Sequence, residues 1–256
     1  MDYNYHTHTA LCGHATGTPR EYIEKAIASG IRSMGFSDHM PFRFPDGYES
    51  HYRVPVKEAP GYIRMIRQLR EEYKDRIELF VGFEMEYYPL YFRDMLQYAR
   101  ELGAEYLVLG VHFLGNEHPD GAYAGTPTDS EALLKEYVDS ALEAMDTGAF
   151  TYLAHPDIMH YVGEEAVYER EMRRLCRGAA RRNFPLEINL LGIRDNRHYP
   201  TDRFWKIAGE EQAPVVLGFD AHTTESAGDQ EHVPAAMEFV QRHHLNYIGR
   251  PKIVRI

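Results

Sequence analysis

Asp2-Tyr3-Asn4-Tyr5-His6-Thr7-His8 runs straight into Thr9-Ala10-Leu11-Cys12-Gly13-His14, which puts three imidazoles inside nine residues. Side chains alternate along an extended strand, so His6 and His8 share a face, about 7 Å apart at a rise of about 3.3 Å per residue. That spacing lets both grip one ion. Two histidines beside a turn are also ordinary surface residues, so the choice rests on what the remaining chain brings to the same place.

Outward from this stretch, short apolar runs alternate with longer amphipathic ones, the pattern of β-α units around a parallel sheet. Thr18-Pro19-Arg20-Glu21 carries a helix start, with a Thr cap, a proline in the first turn and an acid behind it, and Gly30 stops the helix. Residues 31–37 read as a strand ending in Asp38-His39, and 77–83 as one ending in Glu84. Residues 106–111 end in His112, and 150–154 end in His155-Pro156-Asp157. Residues 185–190 contain Glu187 and Asn189, and 214–219 lead into Asp220-Ala221-His222. Helices are expected over about 62–74, 89–102, 130–147, 167–182 and 203–209. Residues 41–60, rich in proline, glycine and aromatics, read as a long loop over the strand ends that carries Arg43 and His51.

The strand endings carry the functional reading. In a parallel α/β barrel the carboxyl ends of the strands form the active-site face, so side chains from distant parts of the chain converge there. Taken singly, each His or acid is a solvated loop residue; taken together, their placement at strand ends points to a metal site. Structural zinc sites are usually closed, Cys-rich and built from neighbouring residues, and this chain has two cysteines, Cys12 and Cys176, far apart.

Composition narrows the setting. A chain of 256 residues with 44% hydrophobic content suffices for a substantial core. No internal repeat or low-complexity linker divides it, so residues 1–256 read as one domain. No long apolar run suggests a membrane span, no basic-then-apolar leader is legible, and the scattered cysteines fit a reducing compartment, so a cytoplasmic location is expected. The net charge of −11 argues against a nonspecific grip on nucleic acid, which needs Lys and Arg against phosphates. Nothing in the sequence marks an oligomeric state.

His6-x-His8, His14, Asp38-His39, Glu84, His112, His155 and Asp220-x-His222 follow, in order, the motifs of the polymerase and histidinol phosphatase (PHP) superfamily, which the chain resembles over nearly its whole length. Its opening residues, with Phe36-Ser37-Asp38-His39, Val111-His112-Phe113 and Ala154-His155-Pro156-Asp157, are similar to those of the PHP-type histidinol-phosphate phosphatases. The resemblance implies an α/β fold, a distorted (β/α)7 barrel, holding three divalent metal ions. It assigns His6, His8, Glu84 and Asp220 to one ion, with Glu84 bridging to a second held also by His112 and His155. His14, His39 and His222 would hold the third.

The donor chemistry agrees with that implication, since imidazoles and carboxylates suit zinc, manganese and iron, and a bridging carboxylate suits ions about 3.5 to 4 Å apart. The implied activity is that of a metal-dependent phosphomonoesterase hydrolysing L-histidinol phosphate to L-histidinol and phosphate, late in histidine biosynthesis, through a metal-activated water. The alternative substrates are another small phosphate ester, a phosphotyrosine or a nucleic-acid end. Asp38 and Asp157 stand beside the implied ligands, where each would hold an imidazole by its other nitrogen; for Asp157, capping the following segment is an equal reading.

Glu187-Ile188-Asn189-Leu190-Leu191-Gly192-Ile193-Arg194 and Arg197-His198-Tyr199-Pro200 resemble a family segment that makes Arg194 the first candidate for a bidentate phosphate clamp. Arg197 and Arg43 follow, with His198 beside them. Glu84, Asp220, His222 and Arg194 form the expected catalytic set, and Asp220, His222 or His198 would protonate the leaving alkoxide. The amine and imidazole of the substrate would want an acidic or aromatic pocket, for which the loops offer Asp46, Glu49, Tyr48 and Tyr52. The segment 115–123 departs from the family pattern, leaving room for another ester.

Overall fold

The structure is a computed structural model that describes residues 1–256. Its elements are β1 (Tyr3–Asn4), α1 (Pro19–Ala28), β2 (Ser33–His39), α2 (Ala59–Tyr73), β3 (Glu78–Glu86), α3 (Phe92–Leu102), β4 (Leu107–Gly110), β5 (Phe113–Leu114) and β6 (Ala122–Tyr123). There follow α4 (Glu131–Asp146), α5 (Glu165–Arg182), β7 (Leu186–Asn189), α6 (Leu190–Arg194), α7 (Asp202–Glu210), β8 (Pro214–Gly218), α8 (Val233–Arg242) and β9 (Asn246–Tyr247). The local signals act as expected at α1, where Thr18 and Glu21 form a reciprocal capping box, and at α4, where the Ser130 side chain accepts from the Leu133 amide.

Strands β1 to β4 pair in parallel in chain order, and β7, β8 and β9 form a second parallel run. Single bridges tie the two runs together: Leu153 bridges both Leu109 and Leu186, and Thr7 bridges Ala221. The sheet therefore curls. Its inner face carries Tyr3, Tyr5, Phe80, Tyr106, Val108, Tyr152, Ala154 and Val216, packed as one cluster. A larger core of 64 buried residues fills the space between sheet and helices.

Two expected strands are shorter than their patterns suggest, each for a backbone reason. The first ladder stops at Asn4 because the His6 amide donates to the Asn4 side chain at 3.1 Å instead of to a neighbouring strand. The alternation slips there, so Tyr3 and Tyr5 pack on the inner face and His6 and His8 also turn inward toward Glu84. Residues 150–154 make a bridge and no ladder, since the Thr151 amide takes the Leu107 carbonyl while Ala154 takes that of Leu109, a one-residue slip in register. Helix α6, the β5–β6 hairpin, α8 and β9 have no counterpart in the sequence reading. No helix is long and apolar enough to cross a membrane.

Candidate metal centre

Strand register delivers the cluster. His39 at the end of β2 pairs with Glu84 in β3, so both side chains stand on the same face, and His39 Nδ1 lies 3.2 Å from Glu84 Oε2. That same carboxylate oxygen lies 3.5 Å from His6 Nε2 and 3.6 Å from His8 Nε2. Asp220 Oδ1 stands 3.5 Å from His6 Nε2 and 3.2 Å from His8 Nε2. Four donors on a tetrahedral ion at about 2.0–2.1 Å stand about 3.3 Å from one another, which is close to this spacing. The other oxygen, Glu84 Oε1, faces a second pair, 3.1 Å from His155 Nε2 and 3.5 Å from His112 Nε2. His14, His39 and His222 gather as a further group, with His14 Nε2 and His222 Nε2 3.1 Å apart.

Two of the nitrogens that face away from the cluster have carboxylate partners. His6 Nδ1 donates to Glu187 Oε1 at 2.8 Å, and His112 Nδ1 donates to Glu86 Oε1 at 2.6 Å. A carboxylate can only accept, so in both rings Nδ1 carries a proton and Nε2 is the nitrogen that faces the cluster. Asp38 Oδ1 lies 3.5 Å from His8 Nδ1, and the carboxylate is itself held by the amides of Thr9 and His39. Asn189 donates to both Glu187 and Asp220. Glu187 fits only because residue 218 has no side chain: a Cβ on Gly218 would lie 1.6 Å from its Oε1.

The protein alone does not satisfy these groups. His6 Nε2, both ring nitrogens of His8, His39 Nδ1 and Asp220 Oδ1 are buried with no hydrogen-bond partner, an arrangement that costs free energy unless a further group completes it. Burial opposes charge on His6 and His8, yet Glu187, Asp220 and Glu84 around His6 hold it well above its ordinary range, and Asp220 with Asp38 carries His8 up to about 9. Burial would raise Glu84 and Asp220, but imidazoles outweigh it and hold both carboxyls well below the usual range. His155 and Asp220 also take positive φ values, 31° and 46°, a conformation that non-glycine residues adopt at a cost. Imidazole and carboxylate lone pairs converging on two neighbouring points suit divalent cations.

The cluster floors a cavity of about 750 Å³ whose lining includes His14, His39, Glu84, His112, His155, Asp220 and His222, with Arg194, Arg197 and Tyr199. Arg194 is steadied there by its Nη1 bond to Asp229 Oδ2 at 3.0 Å, and Arg197 Nη1 donates to the Tyr199 hydroxyl at 3.3 Å. His6 and His8 lie beneath the lining, wholly buried.

Several expected side chains are elsewhere. The Arg43 guanidinium stacks on Tyr98, 3.5 Å from the ring centroid, and borders a different hollow with Tyr91 and Asp94. His198 turns from the cavity, its Nε2 donating to the Ile158 carbonyl at 2.7 Å while its ring stacks on His160. Asp157 neither holds an imidazole nor caps the segment that follows it: its Oδ2 accepts from the Thr201 amide at 2.6 Å, far along the chain at the start of α7. Of the loop residues expected to form a substrate pocket, Tyr52 lines the cavity, whereas Asp46 pairs with His118 and Tyr48 stacks on that same ring. Cys12 stands near His8 and His222, but its thiol donates to the Thr9 carbonyl and burial pushes it above the ordinary thiol range.

Sequence reasoning missed Glu86 and the buried Arg53 behind it. The signal for Glu86 was its position two residues after Glu84, on the same face of one strand. Arg53 Nε donates to Glu117 Oε2 at 2.7 Å, its Nη2 lies 3.7 Å from Glu86 Oε1, and it reaches the Tyr52 hydroxyl and the Met40 carbonyl. No local pattern announces such a contact.

Comparison with known proteins places this geometry in context. A profile described as the PHP domain matches residues 4–190. The chain is 29% identical over 231 residues to the probable histidinol-phosphatase of Deinococcus radiodurans, covering 87% of each. It is 26% identical over 258 residues to the histidinol-phosphatase of Bacillus subtilis, covering 88% of this chain and 93% of that one. Its fold is similar to that of the histidinol phosphate phosphatase from Lactococcus lactis, crystallised with zinc, L-histidinol and phosphate, at a TM-score of 0.72 and 21% identity over 96% of this chain and 95% of that one.

Proposed function

The chain belongs to the PHP domain family, and on that premise we propose that it is a metal-dependent phosphatase hydrolysing L-histidinol phosphate to L-histidinol and phosphate. The observation that carries the reading is the double aspect of Glu84, one oxygen toward His6 and His8 and the other toward His112 and His155. We read His6, His8, Glu84 and Asp220 as one ion's ligands, Glu84, His112 and His155 as the second's, and His14, His39 and His222 as the third's. Zinc, manganese and iron all suit these donors. When bound, such cations acidify a water and neutralise the phosphate oxygens.

The chain's own residues supply the rest. Glu187 and Glu86 fix the tautomers of His6 and His112. Arg194 and Arg197 bring two fixed cations to the cavity wall, where a guanidinium fork matches two phosphate oxygens. His222 and Asp220 stand at the cavity floor, where each would relay a proton from water to the departing alkoxide rather than carry one of its own. The closed run of bridges through Leu153 and through Thr7 and Ala221 supports a distorted seven-stranded barrel, and the continuous core supports one catalytic domain over 1–256. Two buried free thiols fit a reducing, cytoplasmic setting.

The test is a panel of phosphate esters offered to metal-loaded protein. The highest kcat/KM is expected for L-histidinol phosphate. Uniformly poor rates across the panel, or a higher value for phosphotyrosine or a nucleic-acid end, would overturn the reading.

A further inference from the structure

We propose that Tyr52, Phe113 and Tyr123 form an aromatic wall that receives the flat ring of the substrate, and that this wall sets the preference for a ring-bearing ester over other small phosphate esters. The inference rests on the phosphatase reading above and adds the residues that select the organic part of the ester.

All three side chains line the cavity that the histidine cluster floors. Phe113 and Tyr123 face one another directly across the β5–β6 hairpin, which puts their rings on one side of it, 5.5 Å apart. Tyr52 arrives from the long loop and stacks on Phe113, with centroids 5.5 Å apart and planes within 21°. Its ring also stands edge-on to His39 at 5.6 Å, so the wall begins where the cluster ends.

The wall is held in place from behind. Arg53, buried, donates to the Tyr52 hydroxyl at 3.1 Å and to Glu117 in the hairpin loop at 2.7 Å, joining the two segments that contribute rings. Tyr123 stays 43% exposed at the mouth. It lies across Gly125, where an added Cβ would come within 2.6 Å of the ring. Glycine at that position gives Tyr123 its place over the cavity. Together the three rings present aromatic faces to the cavity, and a flat ring is a good partner for such a face.

The test measures kcat/KM for L-histidinol phosphate and for glycerol phosphate, which has no ring, in the metal-loaded wild type, Tyr123→Ala, Tyr123→Phe and Gly125→Ala. Tyr123→Ala should lower the preference for histidinol phosphate about tenfold, the scale of one lost stacking face. Tyr123→Phe should keep it, and Gly125→Ala, which displaces the ring without removing it, should lower it too. An unchanged preference in Tyr123→Ala, or an equal loss in Tyr123→Phe, overturns the wall. A wild type that never prefers histidinol phosphate fails the phosphatase reading itself, a result distinct from a wild-type preference that ignores Tyr123.

Discussion

His6 Nδ1 and Glu187 Oε1 lie 2.8 Å apart with both side chains sealed from solvent. The carboxylate fixes the imidazole proton on the side away from the cluster and leaves Nε2 as a donor of its lone pair. Glu187→Gln keeps the shape and removes the charge. Its affinity for zinc or manganese, titrated against a competing chelator, should fall about 10- to 100-fold. An unchanged affinity would mean that His6 is oriented by something else.

Glu84→Ala removes the one side chain that faces both halves of the cluster. Metal content by elemental analysis should drop at the paired positions, and phosphatase activity should fall on the order of a thousandfold. Retained metal with wild-type turnover would refute the bridging role.

Arg194→Ala and Arg197→Ala should each raise KM roughly 10- to 100-fold with a smaller change in kcat, as for a lost charge-assisted hydrogen bond made to ground and transition states alike. Arg43→Ala should leave KM where it is, because that guanidinium is stacked on Tyr98 outside the cavity. A large KM effect at Arg43 would mean that the loop rearranges around substrate.

Stripping the protein with a chelator should lower its melting temperature, since His6 Nε2, His8 Nε2 and Asp220 Oδ1 then stay buried without partners. A cation present at a thousandfold excess over its dissociation constant contributes about 4 kcal/mol. Restored melting on adding back zinc or manganese completes the check, and a melting temperature indifferent to chelation would count against the site.

Glu105 lies far from the cluster and ties α2, β3 and the chain end together through Arg70, the Val81 amide and Arg255. Burial would raise its carboxyl, but these partners outweigh burial and hold it below the ordinary range. The native state then binds this proton more weakly than the unfolded chain does. Its contribution is complete above the ordinary carboxyl pKa of about 4.3 and is lost as pH falls through that range. Glu105→Gln should cost about 1–2 kcal/mol near neutral pH and flatten the acid limb of stability against pH in denaturant titrations. Parallel curves for the two proteins would remove Glu105 from the account.

What the sequence by itself determined was the order of elements and the residues at their ends. Helix caps such as Thr18 and Ser130, the strand that closes on Asp38-His39, and the placement of Glu84 near the end of β3 and His112 just past β4 are local, because the forces that set them act within a few residues. The cluster His6, His8, His39, Glu84, His155 and Asp220 was legible for the same reason: each stands at a strand end, and parallel strands bring their ends together.

Tertiary structure alone decided which neighbours those side chains would have. Arg43 and His198 carry suitable chemistry at plausible places in the chain, yet one found Tyr98 and the other the Ile158 carbonyl. Glu86, which spacing put on the same face as Glu84, became the partner of His112, while Arg53 joined Tyr52 to Glu117 and Gly218 made room for Glu187, contacts that spacing did not signal. The difference is physical: backbone periodicity fixes which way a side chain points, whereas its partner depends on segments far away in sequence that packing brings within hydrogen-bond range.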